Sequence, residues 1–385
     1  MELLLMSKDL THRYCKKILM PEGATEILLD ITDKLNNDQN LFDIYMEFYK
    51  KNIDSGYWTT VWEPLTIHPY VKEVFGREAS LFYLHAALQR LPLTEQKYSE
   101  RGLSDALFVE TLRDISIWVQ HAYNLVGFYA IGNFSWIWRH LEAKLFRLGG
   151  MQFMATPFSG IVKGFYNKKA DITVFLCGDG MELRANGDMQ GVCNKEKTTD
   201  GFVTEYIETE HYFIGNPITP IGKGMNIQVK LNRNEWEKVL DKDDTLLELH
   251  IPRDITSFDI AFLKDSYEQA KQFYATYFPE VKCKGMVSHS WLFTPQLREM
   301  LPPSSRIVKF QQQFYLYPTA GSESFLWNYV FNEITEKKDA KPDNSLRKQV
   351  LSYLEEDKEI FDMNGIFLDL CGEFGTVTYD RMRQT

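Results

Sequence analysis

The sequence predicts an α/β (α+β) chain in two parts, a helical first third and a strand-rich remainder flanked by helices. Three observations predict it. Apolar residues recur at three- and four-residue spacing up to about residue 148. Gly149-Gly150 then interrupts that pattern. Beyond it, short β-branched and aromatic runs alternate with turn signals such as Gly178-Asp-Gly180 and Asn186-Gly187.

In the first part, Glu26 to Leu35, Leu41 to Lys51 and Ser80 to Leu91 carry helical spacing. So does Ser104 to Val126, where Ser104 is placed to cap and Leu107, Thr111, Ile115, Trp118 and Ala122 share a face. The spacing predicts a last helix over Phe134 to Leu148, and a domain boundary follows, giving domains 1–148 and 149–385. In the second part, Ile172 to Leu176, Met181 to Ala185, Phe202 to Phe213 and Asn226 to Leu231 read as strands, and Asn234 to Leu240 as a short helix with Trp236 inward.

From Thr245 the order becomes strand, helix, strand. Leu246 to Ile251 is the first strand, and Thr256 or Ser257 is placed to cap a helix carrying Phe258, Phe262, Tyr267, Ala270, Phe273 and Tyr277. Gly285 to Phe293 is the second strand, Pro295 to Leu301 a short helix, and Arg306 to Tyr317 a third strand. Helices follow around Ser322 to Asn332 and Ser345 to Asp357, across a charged linker, Glu336 to Asn344. Gly365 to Leu370 is the closing strand. A crossover of this length favours parallel pairing of the first two strands.

The chain has 385 residues, 44% of them hydrophobic, which is enough for two or three domains with cores of their own. A formal net charge of −10 argues against a nucleic acid or an anionic membrane as partner. Five scattered cysteines without a CxxC spacing predict neither a disulfide framework nor a zinc site. No run of apolar residues reaches the ~18 a membrane span requires. The start, Met1 to Met6, lacks the shape of a leader, so the expected location is cytoplasmic.

Chemistry concentrates in the strand Leu246 to Ile251. Alternation puts Leu247, Leu249 and Ile251 on one face and Glu248 and His250 on the other. In a central strand the pair is suited to act as base and proton relay; in an edge strand it is a structural hydrogen-bonded pair. The following turn, Pro252 to Ser257, leads into a helix N-terminus. Its backbone N–H groups, with Arg253, Thr256 and Ser257, suit an anion, while ordinary capping is the other role open to Thr256. His289 stands between Ser288 and Ser290 and so points away from both, as no nucleophile–base pair would. Nucleophile-elbow, HExxH, phosphate-loop and dinucleotide patterns are absent.

The runs Ile218-Thr-Pro-Ile-Gly222, Asn234-Glu-Trp236 through Leu240, and Leu247-Glu-Leu-His-Ile-Pro252 resemble a bacterial acyltransferase family. Ser288-His-Ser-Trp-Leu292, Pro295-Gln-Leu297, Leu301-Pro-Pro303 and Ile307-Val-Lys-Phe-Gln311 extend the resemblance. That family pairs a helical N-acyltransferase N-terminal domain with a GNAT-like C-terminal domain. The resemblance implies a GNAT-like mixed β-sheet whose Leu246 and Gly285 strands splay to admit the pantetheine arm of acetyl-CoA or another acyl-CoA. It further implies a cofactor turn of Ile251, Arg253, Ile255, Thr256 and Ser257 that takes the diphosphate, with Glu248 as base and His250 and His289 beside it. A small-molecule amine is the implied acceptor, and no metal is called for. Two departures stand out: Arg253-Asp254 occupies a loop where the family usually has glycine, and no tyrosine lies between Thr294 and Leu301, so His289, Ser290 or Tyr317 must serve as the acid. The glycine-free loop keeps a second reading open, a non-catalytic GNAT-fold ligand-binding or sensor protein.

Overall fold

The computed structural model describes residues 7–54, 65–332, 337–376 and 379. The start, Met1 to Met6, and Glu336 of the charged linker lie outside the described residues. The chain forms two compact units. One is Met1–Met154 with Ile251–Thr256 and Gln269–Pro279; the other is Ala155–His250 with Ser257–Glu268 and Glu280–Thr385.

The first unit holds helices α1 (Lys8–Lys17), α2 (Glu22–Asn37), α3 (Gln39–Phe48), α4 (Pro69–Phe75), α5 (Ser80–Leu88), α6 (Leu91–Glu100), α7 (Asp105–Val126) and α8 (Phe134–Leu141). Helix α5 is buried on every side, as a sequence without a polar face requires. Its His85 is accommodated because both ring nitrogens have partners, Thr32 Oγ1 at 3.0 Å and the Tyr45 hydroxyl at 2.8 Å. Helix α7 begins as its sequence predicts, with Ser104 Oγ accepting from the Leu107 N–H. Its buried stripe is centred on Phe108, Leu112, Ile115 and Val119, while Leu107, Trp118 and Ala122 are half-buried at its margin.

The predicted helix over Phe134 to Leu148 stops at Leu141. Leu145–Leu148 is instead strand β1, paired antiparallel with strand β2 (Met151–Pro157) from Leu145↔Met154 to Leu148↔Met151. All four β1 residues are buried, Arg147 among them, so both faces are covered and the spacing of the apolar residues does not separate helix from strand. Gly149-Gly150 makes the hairpin turn rather than a helix stop.

The second unit contains strands β3 (Val162–Asn167), β4 (Ile172–Cys177), β5 (Glu182–Leu183), β6 (Phe202–Val203), β7 (Tyr206–Glu208), β8 (Tyr212–Gly215), β9 (Pro217–Ile218), β10 (Val229–Asn232) and β11 (Trp236–Leu240). The single strand expected over Phe202 to Phe213 is thus three short pieces. The helix expected over Asn234 to Leu240 is strand β11, paired with β3 through Trp236↔Asn167 and Glu237↔Tyr166. Trp236 does face inward, against the core of Phe165, Leu176, Phe213 and Leu231.

Strand β12 (Thr245–His250) follows, then helix α9 (Ile260–Tyr277), strand β13 (Gly285–Ser290), helices α10 (Leu297–Met300) and α11 (Arg306–Gln311), strand β14 (Tyr315–Tyr317), helix α12 (Ser345–Glu355) and strand β15 (Met363–Leu368). The third strand expected over Arg306 to Tyr317 is a helix followed by a short strand. Val308, Phe310 and Gln311 are its buried residues, and its carbonyl at Ser305 accepts from the Lys309 N–H. Helix α9 starts two or three residues later than its capping signals predict, because the Asp259 carbonyl accepts the first helical bond, from Leu263 N–H. Ser257 Oγ bonds Asp259 instead.

Strands β12 and β13 run parallel, and β13, β15 and β14 continue antiparallel in that order. On one face of β15, Gly365 leaves room for the Phe293 ring, which a Cβ would meet at 2.7 Å. Phe293, Phe310 and Phe314 pack together there. The opposite face carries the polar residues of interest.

Candidate active site

Register puts the polar residues of interest together on that face. Glu248 pairs with Val287 across β12 and β13, His289 lies two residues beyond Val287, and His289 pairs with Asn364. Asn364 pairs in turn with Tyr317 on β14. Since paired residues share a face and the strand period is two, Glu248, His250, Val287, His289, Asn364 and Tyr317 point the same way. The β12–β13 ladder covers only Leu247↔Met286 and Glu248↔Val287, whereas β13 stays paired with β15 out to Ser290↔Met363. The two parallel strands therefore part company beyond Glu248.

Glu248 and His250 are half-buried, with His250 Nε2 3.4 Å from Glu248 Oε1. The neighbouring Leu247 and Leu249 are buried on the other face, as alternation predicts; Leu246 is also buried, on the side of Glu248. His289 lies against the edge of Phe325, with ring centroids 5.4 Å apart. Its Nδ1 faces Asn364 Oδ1 at 2.8 Å, and its Nε2 forms an ion pair with Asp362. Burial opposes the charge on His289, but the bond and charge of Asp362, the bond to Asn364 and the charge of Glu248 together raise its pKa. Burial likewise opposes ionisation of Asp362, yet the bonds and charge of His289 and the Ser322 N–H hold its carboxyl below the ordinary range.

Tyr317 is buried, and burial with the charge of Glu248 pushes its pKa up, so its hydroxyl stays protonated. Ser290 is not on this face. Its Oγ accepts from Leu292 N–H and caps the turn after β13. Of the three acids the sequence leaves open, the site face holds His289 and Tyr317.

The predicted cofactor turn has a setting of its own in the first unit. The Ile255 N–H bonds the Pro252 carbonyl, closing a turn. Asp254 accepts from Arg113 Nη2 at 2.7 Å and from Arg147 Nη1 at 2.6 Å, while Glu110 lies 3.1 Å from Arg147 and 3.3 Å from Arg113. The Arg253 guanidinium sits over the Trp118 ring, 4.8 Å from its centroid. Arg253 is therefore not the sole cation at this turn. Arg113 and Arg147 join it, and Asp254 is the residue that holds them there. Ile251 and Ile255 are half-buried and Thr256 is exposed.

Sequence reasoning missed Asp362, Asn364, Arg113, Arg147 and Trp118. Asp362 and Asn364 repeat the spacing of Glu248 and His250, two polar residues two apart at the entry of an apolar strand, and that signal could have found them. Among the described residues, no group of His, Cys, Asp or Glu could hold a metal ion, and no helix is long and apolar enough to cross a membrane.

Residues 145–367 match the GNAT-like C-terminal domain and residues 9–143 match the N-acyltransferase N-terminal domain. The chain belongs to the family that joins these two domains. No curated protein matches it. Among solved structures, it is similar to an acyltransferase mutant in complex with octanoyl-CoA, at 16% identity and TM-score 0.63, over 94% of this chain and 88% of that one. It is also similar to an acyltransferase in complex with decanoyl-CoA and teicoplanin, at 17% identity and TM-score 0.62, over 93% and 87% of the two chains. At these identities the likeness establishes the shared fold.

Proposed function

We propose that this protein is an acyl-CoA-dependent N-acyltransferase that moves an acyl group to an amine of a small molecule or amino sugar. The observation that carries the reading is the polar face at which β12 and β13 part, with Glu248 on the last paired position. Family membership supports it, and so do the acyl-CoA complexes of the structural neighbours. Those complexes hold eight- and ten-carbon chains, which favours a medium-chain donor over the acetyl group that the resemblance first suggested. Acyl-CoA is made inside cells, so the reading carries a cytoplasmic location with it.

In this reading the CoA diphosphate lies on the turn that follows β12 in the chain, where Arg253 and backbone N–H groups are the donors. Glu248 takes the proton from the attacking amine, directly or through water, and His250 supports it. The amine nitrogen bonds to the thioester carbon, the tetrahedral intermediate collapses, and the sulfur leaves with the electron pair. Tyr317 donates a hydrogen bond to the departing sulfur.

The test is thermal denaturation of the full chain with acetyl-, octanoyl- and decanoyl-CoA, followed by mass spectrometry of reactions containing amines, teicoplanin among them. A ligand at 100 times its Kd stabilises by about 2.7 kcal/mol. If no acyl-CoA raises the melting temperature, the cofactor assignment fails. Binding without turnover on any amine favours the second reading, a ligand-binding or sensor protein, which the glycine-free turn around Arg253 and Asp254 supports.

A further inference from the structure

We propose that Asp362 and Asn364 are positioning residues that hold His289 as an imidazolium, and that this fixed positive charge stabilises the oxyanion of the tetrahedral intermediate. The inference rests on the acyl-transfer reading and gives His289 a role opposite to that of a base.

The geometry of the ring makes the argument. Its Nδ1 faces the amide oxygen of Asn364 and its Nε2 faces the carboxylate of Asp362, both of them acceptors. An imidazole that donates from both nitrogens carries both protons, and so a charge. Asp362 cannot turn away. It is 3% exposed, and its other oxygen accepts from the Ser322 N–H at 2.6 Å. The backbone of Gly321 presses on that of Asp362 so closely that a Cβ there would lie 2.0 Å from the Asp362 carbonyl oxygen. The segment that anchors the carboxylate therefore admits no side chain at that point. His289 itself is 37% exposed, so its ring is available to the face that Glu248 shares.

Every element around His289 fits a cation. Strand β15 presents Asn364 and the residue leading into it is Asp362, β12 presents Glu248 and His250, β14 presents Tyr317 with its proton retained, and the segment after Ser322 presents the uncharged Phe325. The charge also suits the chemistry. When the amine attacks, its proton passes to Glu248 and the carbonyl π electrons move to oxygen. Negative charge thus leaves Glu248 and appears on the oxyanion, while His289 keeps both protons. On collapse the carbon–sulfur bond breaks, the pair leaves with sulfur, and the proton on Glu248 neutralises the thiolate. Amine and thioester become amide and thiol, with every proton accounted for. A preorganised charge needs no rearrangement during this sequence, which is where electrostatic catalysis is most effective.

The experiment is an NMR titration of the full chain labelled with ¹⁵N-histidine, the His289 signals being assigned by their loss in His289→Gln. Wild type should show a doubly protonated His289 ring at pH 7, and Asp362→Asn should lower its midpoint. If Asp362→Asn does not fold, Asn364→Leu carries the same measurement. In kinetics, His289→Gln should lose about 10²–10³-fold in kcat with the KM for acyl-CoA little changed. His289→Arg should recover part of the loss, and the alkaline limb of the Asp362→Asn profile should move to lower pH. A neutral His289 ring in the wild type at pH 7 overturns the inference whatever the activity, as does an unchanged kcat in His289→Gln. A chain that turns over no acyl-CoA overturns the catalytic part together with the functional reading, and the titration still decides the charge on His289.

Discussion

Glu248 and His250 lie side by side on one strand face, 3.4 Å apart, at the position where the parallel ladder of β12 and β13 ends. The carboxylate thus stands on the last paired position of that ladder. General-base assistance is worth about 10²–10⁴-fold, so Glu248→Gln is expected to lower kcat by that factor. The swap keeps shape and hydrogen-bonding capacity, so the melting temperature and acyl-CoA affinity should hardly move. A purely structural role predicts the reverse, a lower melting temperature with full activity per folded molecule. Measuring both quantities on one preparation separates the two.

The turn around Arg253 gives a second contrast. Arg253→Ala should weaken CoA binding by about 1–3 kcal/mol, the range for a charge-assisted hydrogen bond, and leave stability nearly unchanged. Asp254→Ala should do more. It strips a partner from Arg113 and from Arg147, whose side chain is 5% exposed, and should destabilise the chain by about 1–3 kcal/mol as well as weaken CoA binding. Calorimetry with CoA and urea unfolding on the two variants check this. Equal stability losses in both would show that Arg253 serves the fold instead of the ligand.

A third expectation concerns acid. Burial pushes the pKa of His85 down from 6.5 to about 3. Below pH 6.5 the unfolded side chain takes a proton that the folded one refuses, so stability falls as pH drops from 6.5 towards 3 and is unaffected above that window. The full effect is on the order of 5 kcal/mol at the acid end. The pair of His289 and Asp362 behaves differently at the other side. The raised pKa of His289 contributes stability that is fully present below 6.5 and lost as pH rises through its folded value. Urea unfolding across pH 4–9 should therefore show the acid slope reduced in His85→Gln and the alkaline slope reduced in His289→Gln. If His85→Gln leaves the acid slope as in wild type, other groups carry it.

Much of this was legible in the residues. The alternation of Glu248 and His250 against Leu247 and Leu249 is a local property, and the strand shows it as the sequence predicts. The parallel pairing of β12 and β13 follows from the length of the crossover between them. Where both faces of a segment are buried, periodicity loses its meaning, and Leu145–Leu148 turns out to be a strand. Arg306–Gln311 failed for the converse reason, since its β-branched Ile307 and Val308 favour a strand while packing with Phe293 selects a helix. Trp236 kept its inward direction although its segment changed type. The settings of Asp254 and His289 were not legible at all, because Arg113 and Arg147 come from positions more than a hundred residues away and Asp362 from the entry of the strand paired beside β13.

The last prediction concerns how the chain comes apart. We propose that the boundary near Gly149-Gly150 separates recognisable domains but not independent folding units. Matches to the two family domains meet at residue 144, yet Ile251–Thr256 and Gln269–Pro279 belong to the compact unit of Met1–Met154. Phe146 is the reason in side-chain terms, with ring centroids 4.9 Å from Phe273, 5.5 Å from Phe278 and 5.8 Å from Tyr98. Arg101 adds a cation over Phe278 at 4.7 Å and a bond to the Tyr277 carbonyl. A fragment of residues 149–385 would leave the Phe273, Tyr274 and Phe278 rings without these partners, and fully burying a side chain of that kind is worth about 1.5–3 kcal/mol. It would also leave Asp254 without Arg113 and Arg147. Losing part of that burial together with the partners of Asp254 is large against the net stability of an ordinary domain. The fragment expressed alone is therefore expected to be insoluble, and co-expression with residues 1–148 to restore a soluble pair that unfolds in one transition. A monodisperse fragment 149–385 with a cooperative melt of its own would show that the boundary is a folding boundary after all.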